Sequence, residues 1–281
     1  MPGIQVVTDS ACDLPPGLVD ELGIRVVPLT IRFGDEELVD RVELSGKEFW
    51  DRVVTGPHMP QTAAPSPGAF QTVFNEAADA GMDGVICVNL SSKVSATFQA
   101  ASTAAESVGD RIPVKVVDSL TLTMGLGLVV LEAVELAGSS QSLDEVAAGV
   151  EDAASRARVY GVVDSLDFLR RGGRIGGASH LVGSLLSIKP VLEVRDGVVE
   201  VESKQRTRTR AVQYLASKAA DAGPLKRIAL ADGRASDADE VADMLRKIHS
   251  EHPLELSTLG PVVGSHTGPG SLGVCFMLAR S

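Results

Sequence analysis

A chain of 281 residues is long enough for one large α/β unit or for two lobes, and its 44% of hydrophobic residues can supply a substantial core. A net charge of −11 repels phosphate backbones and 4% aromatic residues offer few stacking platforms, so nucleic acid is not an expected partner. The N-terminal residues lack a signal-peptide pattern, and no apolar run approaches the ~20 residues of a membrane helix. We therefore expect a cytoplasmic protein without stable membrane insertion.

The first half of the chain alternates short apolar strands with helical patterns. This alternation favours a parallel sheet that is covered by helices on both faces. The predicted strands span residues 4–8, 24–33, 84–89 and 114–117, and the predicted helices span 15–22, 45–54, 67–80, 94–108, 122–137 and 143–157.

The second half begins a lobe of different character. Predicted strands 190–194 and 198–201 flank Asp196-Gly197, which is a strong signal for a tight hairpin and hence for antiparallel pairing. We therefore expect a mixed sheet here, and a lobe boundary near residue 160 that divides the chain into lobes 1–160 and 161–281. The remaining predicted elements are strands 227–231, 254–259 and 272–278 and helix 236–251.

Cysteine chemistry is not expected to contribute to the function. The three cysteines, Cys12, Cys87 and Cys275, occur in no CxxC or Cys/His spacing, so neither a disulfide framework nor a zinc site is indicated. Free cysteines commonly behave as small buried apolar residues, and we expect this for all three. No metal or other cofactor is predicted.

Three predicted strands end in an Asp-Ser pair, at residues 9–10, 118–119 and 164–165. Asp and Ser are preferred N-caps, so plain helix capping explains each pair. Ligands of open α/β sheets also bind beyond the carboxyl ends of the strands. The two interpretations are compatible, and the second places the binding site on this face.

Familiar catalytic motifs are missing from the sequence. The string from Gly268 to Gly273 matches GxGxxG, but it leads into a C-terminal strand and does not open a helix as a dinucleotide site requires. The chain contains no P-loop, GxSxG, HExxH or CxxC string. Phosphate-loop, esterase and zinc chemistries therefore lack their usual residues.

Hydroxyl-rich loops and one histidine remain as candidates for a site. Thr62 precedes a predicted helix, and the segment from Ser91 to Thr97 joins a strand to the next helix. Hydroxyls and free backbone N–H groups at a helix N-terminus can hold a carboxylate or phosphate, although capping alone also explains both loops. His266 is flanked by glycines that permit close backbone approach, and the alternative for it is a structural histidine.

Several segments, in this order and spacing, resemble the DegV family over residues 3–280. This resemblance implies a three-layer α/β lobe with a parallel sheet, a smaller lobe with a mixed sheet, and a ligand between the two. The matching segments are Thr8-Asp9-Ser10, Thr62 with Pro65-Ser66-Pro67, Ser91 to Thr97, Leu169 to Ile175, Lys189-Pro190 and Gly264 to Gly270.

The resemblance also implies a function. Characterised members are fatty-acid-binding subunits of a bacterial fatty acid kinase, in which a separate ATP-dependent subunit phosphorylates the bound acid to an acyl phosphate for phospholipid metabolism. The chain itself would then have no catalytic activity. The implied carboxylate-binding residues are Thr62, Ser95 and His266, further head-group candidates are Ser92 and Thr97, and the implied kinase-docking residues are Arg170, Arg174 and Arg206.

Two departures from the family pattern lie beside the expected site. The family usually has Ser-Gly-Thr where this chain has Ser95-Ala96-Thr97, and Thr-Ser-Gln-Pro-Ser where it has Thr62-Ala63-Ala64-Pro65-Ser66. The hydroxyls are retained, but the methyl group of Ala96 bears on the geometry of the site and on the preferred acid.

A second class of function stays open at this point. The chain could be a stand-alone phosphotransferase or hydrolase that acts on a small polar substrate between the lobes. No acidic pair, phosphate loop or nucleophile with an adjacent base is recognisable in the sequence, and a binding protein needs none of them.

Overall fold

A computed structural model of the chain describes residues 3–139, 142–181 and 188–280. Within these ranges, no helix is both long and apolar enough to cross a lipid bilayer. The strands are β1 Ile4–Asp9, β2 Arg25–Val27, β3 Thr30–Phe33, β4 Glu36–Val39, β5 Pro60–Ala63, β6 Gly84–Asn89, β7 Val114–Asp118, β8 Ala157–Val162, β9 Lys189–Arg195, β10 Val198–Gln205, β11 Leu225–Gly233, β12 Leu254–Thr258 and β13 Ser271–Leu278.

The helices alternate with the strands along most of the chain. Short 3-10 helices occur at Ser10–Cys12, Gly109–Arg111 and Gly176–Leu181. The α-helices are α1 Pro16–Glu21, α2 Gly46–Thr55, α3 Pro67–Asp79, α4 Thr97–Val108, α5 Thr123–Ala137, α6 Leu143–Arg156, α7 Asp167–Arg171, α8 Arg208–Ala220, α9 Ala238–Ile248 and α10 Pro261–Thr267.

The first sheet is parallel throughout and has the strand order β2-β1-β6-β7. Every residue of β6 is buried, as expected for a strand that helices cover on both faces. Phe70 and Phe74 of α3 pack with α4 on one face, while α5 and α6 cover the other. The predicted three-layer arrangement of helices, parallel sheet and helices is present.

A separate mixed sheet has the order β10-β9-β8-β13-β11-β12, in which only β11 and β12 pair in parallel. Helices α8 and α9 cover its outer face. The predicted α/β class, with a parallel sheet and a distinct mixed sheet, is thus confirmed. The predicted hairpin is also present, since β9 and β10 are antiparallel and Asp196 and Gly197 both have the positive φ of a type I′ turn.

Helix α5 lies between the two sheets. Its residues from Thr123 to Ala133 are all buried, and the apolar side chains among them belong to a core that contains side chains from both sheets. A helix that is apolar on all sides is stable only when it is buried in this way. The strand β8 belongs to the mixed sheet, and the division into lobes 1–160 and 161–281 stays a prediction.

Two local predictions differ from the structure, and helix α8 was not predicted. The single strand predicted at 24–33 is two strands, because Pro28 separates β2 in the parallel sheet from β3 in a small antiparallel sheet ordered β4-β3-β5. The helix predicted at 94–108 begins at Thr97, because the hydroxyl of Ser95 accepts a hydrogen bond from the backbone N–H of Thr97 at 3.4 Å.

The side chains at the three Asp-Ser joints form local turns. The carboxylate of Asp9 accepts from the N–H of Ala11 at 3.0 Å, and that of Asp118 accepts from Leu120 N–H at 3.0 Å. At the third joint the hydroxyl of Ser165 accepts from the N–H two residues later at 3.0 Å. All three cysteines are buried and free, as expected.

Candidate functional site

A largely apolar cavity lies between the N-terminal end of α5 and strands β8, β9 and β13 of the mixed sheet. It contains about 910 Å³ of empty space, counting the solvent at its opening. Leucine and valine make up most of the wall. Representative lining residues are Leu29, Leu90, Leu122, Val163, Leu192 and Val263.

Thr62, Ser95 and His266 all line this cavity. Thr62 lies on β5, Ser95 lies in the loop between β6 and α4, and His266 lies in the last turn of α10. The hydroxyl oxygen of Thr62 is 2.9 Å from Nε2 of His266. The three residues expected to hold a carboxyl group are therefore brought together, although their role stays a prediction.

Arg174 links the backbone next to Ser95 to Gly172, which packs against His266. Nε of Arg174 donates to the carbonyl of Val94 at 3.0 Å, and Nη1 donates to the carbonyl of Gly172 at 2.7 Å. Gly172 in turn packs against the imidazole, because a Cβ at that position would lie only 2.1 Å from Nδ1 of His266. The polar lining thus forms one connected end of the cavity.

His266 is partly buried and electrically neutral at neutral pH. Burial lowers the pKa of His266 from 6.5 to about 4, and the positive charge of Arg174 contributes in the same direction. Nδ1 of His266 has no hydrogen-bond partner among the described residues. A buried N–H without an acceptor is costly, so the tautomer with the proton on Nε2 is favoured.

The two further head-group candidates are placed differently. Thr97 is fully buried, and its hydroxyl lies 2.8 Å from that of Ser95, so it orients Ser95 and does not line the cavity. Ser92 is exposed, and its backbone N–H donates to the carboxylate of Asp118 at 3.1 Å. Of the hydroxyls in this loop, that of Ser95 is the one positioned to meet a ligand.

The three arginines expected to dock a kinase do not form a uniform group. Arg170 and Arg206 are exposed, and Arg170 has one ion pair, with Asp167 at 3.4 Å. Arg174 is partly buried and lines the cavity, as described above. The structure therefore places Arg174 beside the polar end of the cavity and leaves Arg170 and Arg206 on the surface.

The buried carboxylate of Asp13, which the sequence did not indicate, connects two elements of the site. Asp13 accepts hydrogen bonds from the hydroxyl of Thr123 at 2.6 Å and from the N–H of Gly260 at 3.0 Å. Thr123 lines the cavity, and Gly260 begins the helix that carries His266. Burial raises the pKa of Asp13 to about 7 against these hydrogen bonds. No local pattern marks Asp13, because its partners are 110 and 247 positions away.

The β9–β10 hairpin contacts the loop that carries Ser95. The hydroxyl of Ser91 donates to the carbonyl of Gly197 at 2.7 Å. A side chain on Gly197 would collide with that hydroxyl, since its Cβ would lie 2.4 Å from Oγ of Ser91. The contact connects the mixed sheet to the first half of the chain next to Leu90, which lines the cavity.

Residues 3–279 match the DegV family, which is described as a family of uncharacterised proteins. A DegV domain-containing protein from Streptomyces coelicolor is 38% identical over 275 residues, which cover 96% of this chain and 97% of that protein. The chain belongs to the DegV family. A second DegV domain-containing protein, from Halalkalibacterium halodurans, is 34% identical and covers 100% of both chains.

Solved structures of DegV proteins share the fold. A DegV family protein from Thermus thermophilus, whose structure is described for its fatty acid binding, has a TM-score of 0.88 and 35% identity, with 99% of this chain and 100% of that chain covered. DegV from Bacillus subtilis, described as a fatty acid binding protein, has a TM-score of 0.89 and 31% identity over 99% of this chain and 100% of that one. Among the described residues, no group of three or more His, Cys, Asp or Glu side chains is arranged to hold a metal ion.

Proposed function

We propose that this DegV protein binds a long-chain fatty acid, with the carboxyl group at Thr62, Ser95 and His266 and the acyl chain along the leucine and valine wall. The observation that carries the proposal is a polar end, built from these residues and Arg174, on a cavity that is otherwise mostly apolar. The fatty acid binding described for the related proteins from Thermus thermophilus and Bacillus subtilis supports it.

The energetics favour a lipid over a small polar ligand. Burying ~15 methylene groups at about 0.8 kcal/mol each gives on the order of 12 kcal/mol. Association and ordering oppose this by several kcal/mol. A hydrogen bond to the carboxylate contributes about 1.5–3 kcal/mol at most, so the acyl chain supplies most of the affinity and the polar end supplies orientation.

The polar end has donors suited to a carboxylate. If Nε2 of His266 donates to the hydroxyl oxygen of Thr62, the hydroxyl hydrogen of Thr62 is free to donate to the ligand. The hydroxyl of Ser95 is a second donor, and the fixed positive charge of Arg174 favours an anion at the same place. Neutral His266 therefore serves to orient Thr62, and the charge complement comes from Arg174.

The protein presents the bound acid to a separate ATP-dependent kinase. In that reaction a carboxylate oxygen forms a bond to the γ-phosphorus of ATP, the bond from that phosphorus to the β,γ-bridging oxygen breaks, and ADP leaves with its electron pair. The catalytic machinery of phosphoryl transfer belongs to the kinase, and this chain contributes positioning of the attacking oxygen. The exposed Arg170 and Arg206 are the candidate docking residues on this chain.

The rival function is a stand-alone hydrolase or phosphotransferase. The Thr62–His266 contact has the spacing of a nucleophile with its base, but Nδ1 of His266 meets Gly172 and no orienting acceptor among the described residues. The large apolar wall also has no role with a small polar substrate. These observations favour binding over catalysis by the chain alone.

Native mass spectrometry and solvent extraction test the proposal. Protein purified from a bacterial host should retain an acyl chain in equimolar amount, and delipidated protein should take up palmitate or oleate. Repeated preparations without lipid, combined with no uptake of either acid, would refute fatty acid binding. Hydrolysis of ester or phosphate substrates by the protein alone, abolished in Thr62→Val, would support the rival enzyme.

A further inference from the structure

Two glycines lie opposite each other in the wall of the cavity. Gly161 of β8 is paired with Gly273 of β13, and both line the cavity. Their neighbours Val159 and Cys275 are also paired and belong to the core shared with α5. Because side chains two residues apart in a strand share a face, both glycines present their missing side chains toward α5 and the cavity.

The backbone conformation does not require glycine at either position, and only at Gly161 would a Cβ make a tight contact. Neither Gly161 nor Gly273 has a positive φ. A Cβ on Gly273 would find its nearest neighbour, Cβ of Ala231, at 3.7 Å, and a Cβ on Gly161 would have only the carbonyl oxygen of Leu272 within 4 Å, at 3.2 Å. All of these neighbours belong to the sheet itself. The two missing side chains therefore leave a recess over the sheet.

The recess lies within the cavity wall, because Gly161 is the middle one of five consecutive lining residues from Val159 to Val163. Two residues from Gly161, Val159 also lines the cavity, and it packs so closely against α5 that a Cβ on Gly125 would lie 2.3 Å from its side chain. Two residues from Gly273, Ser271 lines the end next to α10, the helix that carries His266. At about 3.3 Å per residue, the recess is ~7 Å along the strands from each of these points.

We infer that the Gly161–Gly273 pair determines acyl-chain selectivity, because its recess accepts the bend of a cis-unsaturated chain. This inference rests on the proposed function and specifies the ligand class within it. A straight saturated chain has uniform width and can pass the recess without filling it. A cis double bond displaces the chain sideways, and side chains at the two glycine positions would occupy the space that the bend needs.

Palmitate and palmitoleate provide the test, because they have equal length and differ in the bend. The variants are Gly273→Ala, whose added methyl group meets nothing closer than 3.7 Å, and Gly273→Val, which fills more of the recess. Gly17→Ala is the matched control, because a Cβ at Gly17 has no neighbour within 4 Å and Gly17 is not one of the residues that line the cavity. Dissociation constants are measured on delipidated protein by isothermal titration calorimetry, with thermal unfolding as a check of folding.

We expect Gly273→Ala to raise the dissociation constant of palmitoleate roughly tenfold relative to that of palmitate, because the added methyl group overpacks a site that the bend fills. Gly273→Val should raise the ratio of the two dissociation constants further. Gly17→Ala should leave both constants unchanged. An equal change for the two acids in Gly273→Ala would overturn the role of the glycine pair while leaving fatty acid binding intact. Binding of neither acid by the wild-type protein would instead refute the proposed function, and this inference with it. If Gly273→Val does not fold, the ratio measured in Gly273→Ala decides alone.

Discussion

Replacing Asp13 by asparagine should change how the stability of this protein depends on pH. Asp13 is 3% exposed, and it connects the start of α5 to the start of α10 through its bonds to Thr123 and Gly260. Asparagine has the same shape and can still accept from the N–H of Gly260, while the hydroxyl of Thr123 can rotate to accept from the new amide. The variant therefore removes the titration and keeps most of the geometry.

The magnitude follows from the raised pKa of Asp13. In the folded protein this pKa is about 7, against 3.8 for the ordinary carboxyl group, so the folded state binds the proton more tightly than the unfolded state. The contribution is fully present below pH 3.8 and is lost as pH rises through about 7. A difference of roughly three pH units at about 1.4 kcal/mol per unit gives ~4 kcal/mol. The neutral asparagine side chain of the variant avoids that loss.

The assay is urea unfolding of both proteins at a series of pH values, followed by the fluorescence of Trp50, the single tryptophan. The free energy of unfolding of Asp13→Asn, relative to wild type, should rise by ~4 kcal/mol from about pH 4 to about pH 8. Asp9 and His266 also have shifted pKa values, but they titrate in both proteins and cancel in the difference. Asp35→Asn, at an exposed site, is the control. A difference that stays constant with pH would refute the reasoning.

Three further predictions concern the cavity and the surface. His266→Ala should lower fatty acid affinity by no more than about tenfold, because one hydrogen bond orients the head group while the acyl chain supplies the affinity. The same variant should lower kinase-coupled acyl-phosphate formation by about a hundredfold or more, because the attacking oxygen is no longer held in position. Equal loss of binding and rate would contradict this division. Thr62→Ala removes the direct donor that His266 orients, so it should show the same pattern at least as strongly. Arg174→Gln removes the positive charge beside His266, so the pKa of His266 should rise in an NMR titration, and an unchanged or lower value would disprove the electrostatic contact. Arg170→Glu combined with Arg206→Glu should weaken coupling to the kinase while lipid stays bound, and unchanged kinase turnover would remove these residues from the docking surface.

The sequence by itself determined the features that depend on near neighbours in the chain. Alternating apolar strands and helical patterns predicted the parallel sheet, and Asp196-Gly197 predicted the hairpin, because strand period and turn conformation are local properties. The candidate residues Thr62, Ser95 and His266 came from the resemblance to the DegV family. Without that resemblance, the local pattern left capping as an equal alternative for each loop.

Only the tertiary structure determined which residues of the site are in contact with each other. Thr62 and His266 are 204 positions apart and meet because the small β4-β3-β5 sheet and α10 pack on the same core. The resemblance implied that Arg174 docks a kinase, and in the structure Arg174 lines the cavity and donates to two backbone carbonyls. Gly161 and Gly273 form a recess only because β8 and β13 pair in that register. Such contacts arise when distant segments pack together. The periodicity or capping pattern of a single segment cannot predict them.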